Sequence, residues 1–134
     1  MLAEKKKYQD MMNNAPVAIY RNTVGPNGHF LEVNETGMKM FELESRADLE
    51  RYNVTDIYQD PAMRKKVSDL LIKQGFMKDV EIPLRSLKGK EIMCSVSAVM
   101  RKDENGEVYF DGVAEDAAAA VLIRPYVLGP PRGP

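Results

Sequence analysis

Apolar and polar residues follow two different periods along this chain, and the period changes several times between its ends. Four residues near the beginning have the spacing i, i+3, i+4, i+7 that is typical of one face of an amphipathic helix: Tyr8, Met11, Met12 and Ala15. Asn14 and Pro16 favour the end of this helix, because proline cannot continue it. We therefore expect an N-terminal amphipathic helix over residues 1–15.

Two short runs rich in β-branched and aromatic residues follow, at 17–23 and 29–33. The letters GPNG join them, and we expect Asn27-Gly28 to provide the positive φ angles of a tight hairpin. The first two strands should therefore pair antiparallel.

The next stretch contains signals for short helices. Asn34 can accept hydrogen bonds from the free amides of a helix start, which predicts a short helix after it. Ser45, with Asp48 three residues later, resembles a capping box, and Thr55 is a candidate cap for one further turn.

A longer helix is predicted to begin at Asp60-Pro61 and to end at Gly75. Its apolar face is formed by residues at i, i+4, i+7 and i+8: Met63, Val67, Leu70 and Leu71. Three basic residues fall outside this face, and we assign them to a solvated one: Arg64, Lys65 and Lys66.

From residue 76 onward, three segments alternate with period two, at 80–85, 92–100 and 108–114. Glycine-containing turns at 88–89 and 105–106 separate them and favour hairpins. The element order predicts an α+β domain with a five-stranded antiparallel sheet and helices packed on one face. The pattern leaves open which face of the first and last strands is buried, because both carry apolar residues at both parities.

Composition narrows the class of protein. The chain has 134 residues, which favours one domain, and its 19 basic and 20 acidic residues are spread without large blocks, which argues against nucleic-acid binding. A single cysteine cannot form an internal disulfide, and no apolar run approaches the roughly 18 residues of a membrane span. The N-terminus lacks the apolar stretch of a signal peptide, so we expect a soluble, cytoplasmic domain.

The end of the chain has a different character. An alanine run at 117–120 is followed by a proline-rich stretch without a hydrophobic period. We therefore interpret residues 117–134 as a linker or disordered tail outside the packed domain.

Several separated segments resemble the PAS (Per-Arnt-Sim) sensory domain, in the right order and at matching spacings. They are NNAPVAIYR, NGHFLEVN, DPAMRKKVSDLL, LKGKEIMCSVSA and DENGEVYFDGVAED. The resemblance assigns residues 16–116 to the PAS domain. The family commonly ends in Asp-Ile-Thr before a signalling helix, and Asp116 matches the first of these, whereas Ala117 and Ala118 replace the others. Asp116 is therefore the candidate junction for signal output.

The resemblance implies a sheet and helices that enclose a cavity, which in some members holds a ligand or cofactor. It also implies a homodimer made by the outer sheet face and the N-terminal helix, and an attached output domain such as a histidine kinase or a diguanylate cyclase. The main hypothesis is a sensory module that binds a small, mainly apolar ligand or a partner and acts through dimer rearrangement. The alternative is a dimerisation domain without a ligand.

The cofactor remains unknown, but two kinds have little support. Haem-binding relatives present a histidine from the long helix, whereas the single histidine, His29, opens the second strand. Flavin photosensors place a reactive cysteine before the long helix, and residues 53–60 contain none, which leaves only noncovalent flavin open. One cysteine and one histidine give no metal cluster, and no nucleophile has a readable acid–base partner, so we expect no enzyme.

Strand parity and the helix stripe give two sets of candidate residues. The candidates for the ligand pocket are Tyr20, Asn34, Met40, Phe41, Tyr58, Met63, Val67, Leu71, Ile82, Leu84, Cys94, Val96 and Ala98. The candidates for the dimer interface are Tyr8, Met11, Met12, Met93, Ser95, Ser97 and Val99. We expect a tightly filled core rather than a large pocket, since no polar cluster converges on the interior.

Overall fold

The computed structural model describes residues 2–118, with side chains from residue 6 onward. Five strands form one sheet: β1 (Ala18–Thr23), β2 (Phe30–Val33), β3 (Phe76–Arg85), β4 (Glu91–Lys102) and β5 (Val108–Asp116). The helices are α1 (Leu2–Asn14), α2 (Glu35–Met40), α3 (Arg46–Arg51) and α4 (Pro61–Gln74), with a 3₁₀ turn at Val54–Ile57. The α+β class and the five-stranded antiparallel sheet with helices are confirmed.

The sheet has the strand order β2-β1-β5-β4-β3, and every pairing is antiparallel. The predicted hairpin of β1 and β2 and the predicted meander of β3, β4 and β5 are both present. The first and last strands meet in the centre of the sheet, where Tyr20 lies opposite Gly112. A bulge between Met77 and Val80 interrupts β3, and Asp79 adopts a positive φ of 51° there.

Local capping signals place the helix ends where the sequence predicts them. The Asn34 side chain accepts a hydrogen bond from the Gly37 amide at 3.0 Å, and Asp60 accepts one from the Ala62 amide at 3.0 Å. Gly75 ends α4 with a φ of 84°, a left-handed conformation that glycine adopts without a steric penalty.

Two local predictions are wrong in detail. Thr55 does not cap a turn, because Asn53 begins the 3₁₀ turn and the Thr55 hydroxyl instead donates to the Pro26 carbonyl. In the β1–β2 connection, the positive φ of 83° belongs to Gly25 and not to Asn27-Gly28. The connection is longer than a two-residue hairpin turn, and the chain turns across all four GPNG residues, where the Gly28 amide donates to the Gly25 carbonyl at 3.1 Å.

The core lies between one face of the sheet, here called the inner face, and the helices α2, α3 and α4. Alternation along β4 is confirmed, because Cys94, Val96 and Ala98 point inward and are at most 4 % exposed. Ala18 and Asn22 are buried in β1, and Phe110 and Ala114 are buried in β5, so both strands bury their even-numbered residues, which answers the question that the sequence left open.

The predicted tail begins at residue 117, and from residue 119 onward it lies outside the described residues. Within the described part of the chain, none of the helices combines the length and the apolar character needed to cross a membrane.

Candidate functional site

A small cavity of about 20 Å³ lies between the inner face and the helical layer. Three of its lining residues are polar or carry a hydroxyl group: Tyr20, Asn22 and Tyr58. The others are apolar: Phe30, Phe41, Val54, Ile57, Leu84, Val96 and Ala114. Such a volume holds about one water molecule, whereas pockets for drug-sized ligands measure roughly 300–1,000 Å³. The interior is therefore filled almost completely by side chains.

Part of the candidate pocket set surrounds this cavity. The candidates that line it are Tyr20, Phe41, Tyr58, Leu84 and Val96. The candidates that pack elsewhere in the domain are Asn34, Met40, Met63, Val67, Leu71, Ile82, Cys94 and Ala98. Sequence reasoning missed Asn22, although it has the same strand parity as Ala18 and Tyr20.

Asn22 is the unusual residue of this cavity. Its side chain is on the inner face of β1, the residue is 3 % exposed, and its Oδ1 has no hydrogen-bond partner among the described residues. A buried polar atom without a partner is uncommon in folded proteins, because it loses hydration without compensation. The site therefore contains an unused hydrogen-bond acceptor.

Two tyrosines complete the polar part of the cavity. The Tyr20 ring packs edge-on against Phe30, with ring centroids 5.8 Å apart, and a Cβ at Gly112 would overlap it. Burial is the main cause that raises the pKa of both Tyr20 and Tyr58, and the nearby Arg64 guanidinium partly offsets this increase. Both phenols are consequently neutral hydroxyl groups at physiological pH.

Arg64 corrects the interpretation of α4. It is only 2 % exposed, not on a solvated face, and its guanidinium donates hydrogen bonds to the Thr23 carbonyl at 2.8 Å and the Gly25 carbonyl at 3.1 Å. The guanidinium also lies 5.7 Å from the Phe110 ring centroid. The stripe that could have shown this has the spacing i, i+3, i+4, i+7: Arg64, Val67, Ser68 and Leu71.

Asn34 connects the N-terminal helix to the domain and is not among the residues that line the small cavity. Its Oδ1 accepts from the amides of Ile19 and Gly37, at 2.9 and 3.0 Å. Its Nδ2 donates to the carbonyls of Met12 and Val17, at 2.6 and 3.0 Å. A buried side chain thus fixes the end of α1 against β1 and α2.

Cys94 and Asp116 lie opposite each other in the β4–β5 register. Burial, with a smaller contribution from the Asp116 charge, raises the pKa of the Cys94 thiol to about 12. A thiol in that state is a poor nucleophile at neutral pH. Asp116 also accepts a hydrogen bond from the Ala118 amide at 2.9 Å, immediately after β5 ends.

The described residues do not fit haem or flavin. A cavity of about 20 Å³ has no room for either group, and His29 is not among its lining residues. Residues 2–118 also contain no cluster of three or more histidine, cysteine or carboxylate side chains arranged to hold a metal ion.

The opposite side of the sheet, here called the outer face, is open. A groove of about 730 Å³ runs between α1 and the outer face, and Tyr8, Met12, Ser97, Val99 and Val113 are among its lining residues. Of the other interface candidates, Met11 is 66 % and Met93 is 45 % exposed, whereas Ser95 is only 8 % exposed. The structure therefore places most of the predicted interface set on one accessible surface.

A charged cluster lies on the same outer face. Asp111 accepts from Arg21 at 2.8 Å and from Arg101 at 3.2 Å, and the Arg21 guanidinium lies 4.5 Å from the Tyr109 ring centroid. The hydrogen bond with Asp111 is the main cause that raises the pKa of Arg21. These groups are partly exposed, so the cluster adds orientation more than stability.

Comparison with known proteins supports the fold. No protein-family model matches the sequence, and a search of curated proteins finds no match. Among solved structures, the chain is similar to a PAS domain from a two-component sensor histidine kinase, with 23% identity and a TM-score of 0.70 over 86% of this chain and 97% of that chain.

Two further structures have lower identity. The PAS domain of an HTR-like protein from Haloarcula marismortui matches at 16% identity and a TM-score of 0.65, over 86% of this chain and 93% of that one. A PAS domain in complex with ethanol, from a LuxR-family transcriptional regulator of Burkholderia thailandensis, matches at 16% identity and a TM-score of 0.64, over 83% and 97%. With the strand order and element sequence described above, these likenesses show that the chain has the fold of a PAS domain.

Proposed function

We propose that this domain is a sensory and signal-transduction module that forms a homodimer and controls a covalently attached output domain of kinase or cyclase type. PAS domains of sensor kinases and regulators are among the solved neighbours of this fold. The observation that carries the proposal is the contrast between a filled interior and an open, partly apolar outer face. Dimerisation through that face is the function that the geometry supports best.

Four apolar side chains form a diagonal across the outer face, here called the outer strip: Phe76, Val99, Val113 and Ile19. Phe76 lies opposite Val99 in the β3–β4 register, and Val113 lies opposite Ile19 in the β5–β1 register. Val99 and Val113 are diagonal neighbours across β4 and β5, since Ser97 is the direct partner of Val113. Phe76 is 56 % exposed, and the two valines are each 38 % exposed. A continuous apolar surface of this kind favours an interaction partner.

The partner that we infer is a second copy of the chain. Helix α1 borders the same groove and exposes Tyr8 by 62 % and Met11 by 66 %. Each copy therefore offers two apolar surfaces: the outer strip and the apolar stripe of α1, which contains Tyr8, Met11 and Met12. In a two-fold dimer, the α1 stripe of each copy can cover the outer strip of the other, so all four surfaces are buried at once.

The register suggests how a change at the interface reaches an output domain. Ala18 lies opposite Ala114, so the start of β1, just after α1, is next to the end of β5. Asp116 and the connection from α1 therefore lie at the same end of the central strands. A signal that favours one arrangement of α1 over another shifts the population of dimer geometries, and Asp116 passes that change to the following segment.

Sedimentation equilibrium of charged variants tests the interface. We expect Val99→Glu and Met11→Glu each to raise the dimer dissociation constant at least tenfold, because each introduces a charge into an apolar contact. Ile72→Glu is the matched control, since Ile72 is 49 % exposed on α4, away from the outer face. Dimers of unchanged affinity in both test variants, or a monomeric wild type, would contradict the proposal.

A small interior ligand is the second candidate function, and Asn22 Oδ1 is the observation in its favour. One neighbour of this fold is described as a complex with ethanol, a ligand far smaller than haem or flavin. Native and denaturing mass spectra of the purified domain test this candidate. A mass surplus that disappears on denaturation would reveal a retained ligand.

A further inference from the structure

The unpartnered oxygen of Asn22 and the small cavity beside it are independent observations at one place. Asn22 Oδ1 is buried on the inner face, and the cavity of about 20 Å³ that Asn22 lines also receives the tyrosines at positions 20 and 58. An occupant that donates a hydrogen bond to this buried oxygen compensates for its lost hydration and is therefore bound favourably. A space of this size accommodates one small polar group.

The walls of the cavity determine the chemistry of its occupant. Phe41, Ile57 and Leu84 surround the polar groups, so an ion would lose its hydration on entering the cavity. The nearby Arg64 charge disfavours a cation there. It does not favour an anion enough, because burial outweighs it at Tyr20 and Tyr58, whose pKa is raised in spite of Arg64. The occupant is therefore neutral.

A hydroxyl group satisfies the site best. Asn22 Oδ1 requires a donor, and a 180° rotation of the amide would instead present a donor that requires an acceptor. A hydroxyl group serves as donor and acceptor, and it can pair at the same time with one of the two phenols. An ether or a ketone can only accept, so neither can pair with Asn22 Oδ1 as it stands.

We propose that this cavity binds a single neutral hydroxyl group, which donates a hydrogen bond to Asn22 Oδ1. The hydroxyl belongs either to a buried water molecule or to a short aliphatic alcohol. The alkyl part of the alcohol would push aside the apolar side chains that line the cavity. Bound there, the hydroxyl group bridges β1 to Tyr58, which precedes α4 and pairs with Leu84 of β3. A role of this site as the signal input rests on the proposed sensory function, whereas its hydroxyl chemistry does not.

Nuclear magnetic resonance of the wild-type domain tests the water source first. In ¹⁵N-labelled protein without alcohol, we expect a cross-peak between the Asn22 side-chain amide and water that is too persistent for surface exchange. Titration with methanol and ethanol tests the second source. We then expect the signals of Asn22 and the Val96 and Ala114 methyl groups to shift and saturate together.

Two variants with opposite expected effects sharpen this test. Asn22→Leu removes the acceptor at similar volume, so a cross-peak between water and the Val96 methyl group, expected in the wild type, should disappear and any alcohol affinity should fall at least tenfold. Ile57→Val enlarges the cavity and retains Asn22, so the cross-peak should persist and any alcohol affinity should rise. If Asn22→Leu does not fold, the wild-type and Ile57→Val spectra still decide the matter.

Each result supports or contradicts the site. A water cross-peak without saturable alcohol binding assigns the hydroxyl to water, and saturable binding that requires Asn22 assigns it to alcohol as well. A dry cavity without alcohol binding overturns the proposal, as does alcohol binding that is unchanged in Asn22→Leu. The dimer dissociation constant is measured separately, so failure of this site and failure of the proposed dimer are distinguishable.

Discussion

The two faces of the sheet use the same strands in opposite ways. Along β4, Cys94 and Ala98 of the inner face are at most 4 % exposed, whereas Met93 and Val99 of the outer face are 45 % and 38 % exposed. The inner face is largely apolar and has a covering layer of helices, whereas the outer face combines an apolar strip with charged residues. The difference indicates that the inner face stabilises the monomer and that the outer face is available to a partner.

Polar groups also differ between the two faces. Arg64, on the inner side, and Asn34, at the junction of α1 and β1, are buried and held by several hydrogen bonds each, so their removal should unfold the domain more readily. On the outer face, Arg21 and Asp111 remain partly exposed to water. Substitutions should therefore separate the faces by their effect on unfolding and on association.

Arg64→Met should give the largest loss of stability. It removes the Arg64 hydrogen bonds to the carbonyls of Thr23 and Gly25 beneath α4, and we expect a cost of about 3 kcal/mol in the free energy of unfolding. Urea denaturation at a fixed protein concentration measures it. The neighbouring Lys65→Met is the control and should cost less than about 0.5 kcal/mol, because Lys65 is exposed. Equal effects of the two variants would show that Arg64 does not stabilise the inner side.

Asn34→Ala should have the next largest effect. The amides of Ile19 and Gly37 lose their acceptor, for which we expect about 2 kcal/mol in urea denaturation, and the end of α1 loses its donor. Limited proteolysis should then cleave near residues 12–17 faster than in the wild type. Asn13→Ala is the matched control, since the Asn13 side chain accepts one exposed hydrogen bond, from the Glu35 amide. Equal cleavage rates in the two variants would contradict the role of Asn34.

We expect the free energy of unfolding to depend on pH because of the Cys94 thiol. Its pKa rises from 9.0 in the unfolded chain to about 12 in the folded domain, so between these values the unfolded state binds fewer protons. The contribution is complete below pH 9 and is lost as the pH rises toward 12. We expect the wild type to lose about 1.4 kcal/mol more than Cys94→Ala between pH 8 and pH 10 in urea denaturation. Parallel losses would show that the thiol titrates normally.

Met93→Lys should have the smallest effect on unfolding. Met93 is 45 % exposed on the outer face, so a long polar side chain is tolerated there, and we expect a change within about 0.5 kcal/mol. Denaturation is measured at a dilution at which dimers do not contribute. A loss above 2 kcal/mol would mean that the outer face also stabilises the monomer.

The helix ends were predictable from sequence because their signals are local. Asn34 accepts a hydrogen bond from the amide three residues later. Asp60-Pro61 and Gly75 likewise determine the two ends of α4 through contacts with residues close in sequence. Strand alternation likewise predicted the inner face of β4. Residue types at a regular spacing are sufficient to predict helix ends and strand faces, without knowledge of contacts between residues distant in sequence.

The contents of the interior were harder to predict, because they depend on contacts distant in sequence. Arg64 is buried since the carbonyls of Thr23 and Gly25 accept its hydrogen bonds, about 40 residues earlier in the chain. A basic residue beside two lysines is typical of a solvated helix face. Asn22 was missed for a similar reason, since polar residues occur at both parities of β1, and only the sheet order shows which face is covered.

A dilution series followed by methyl signals tests the contrast between the faces most directly. Methyl groups of Met11, Met93, Val99 and Val113 report on the outer side, while those of Val54 and Val67 report on the core and Ile72 on the exposed side of α4. We expect concentration-dependent shifts confined to the first group, with one dissociation constant that agrees with sedimentation. Shifts centred on Ile72, or none on the outer face, would contradict the assignment of that face to dimerisation.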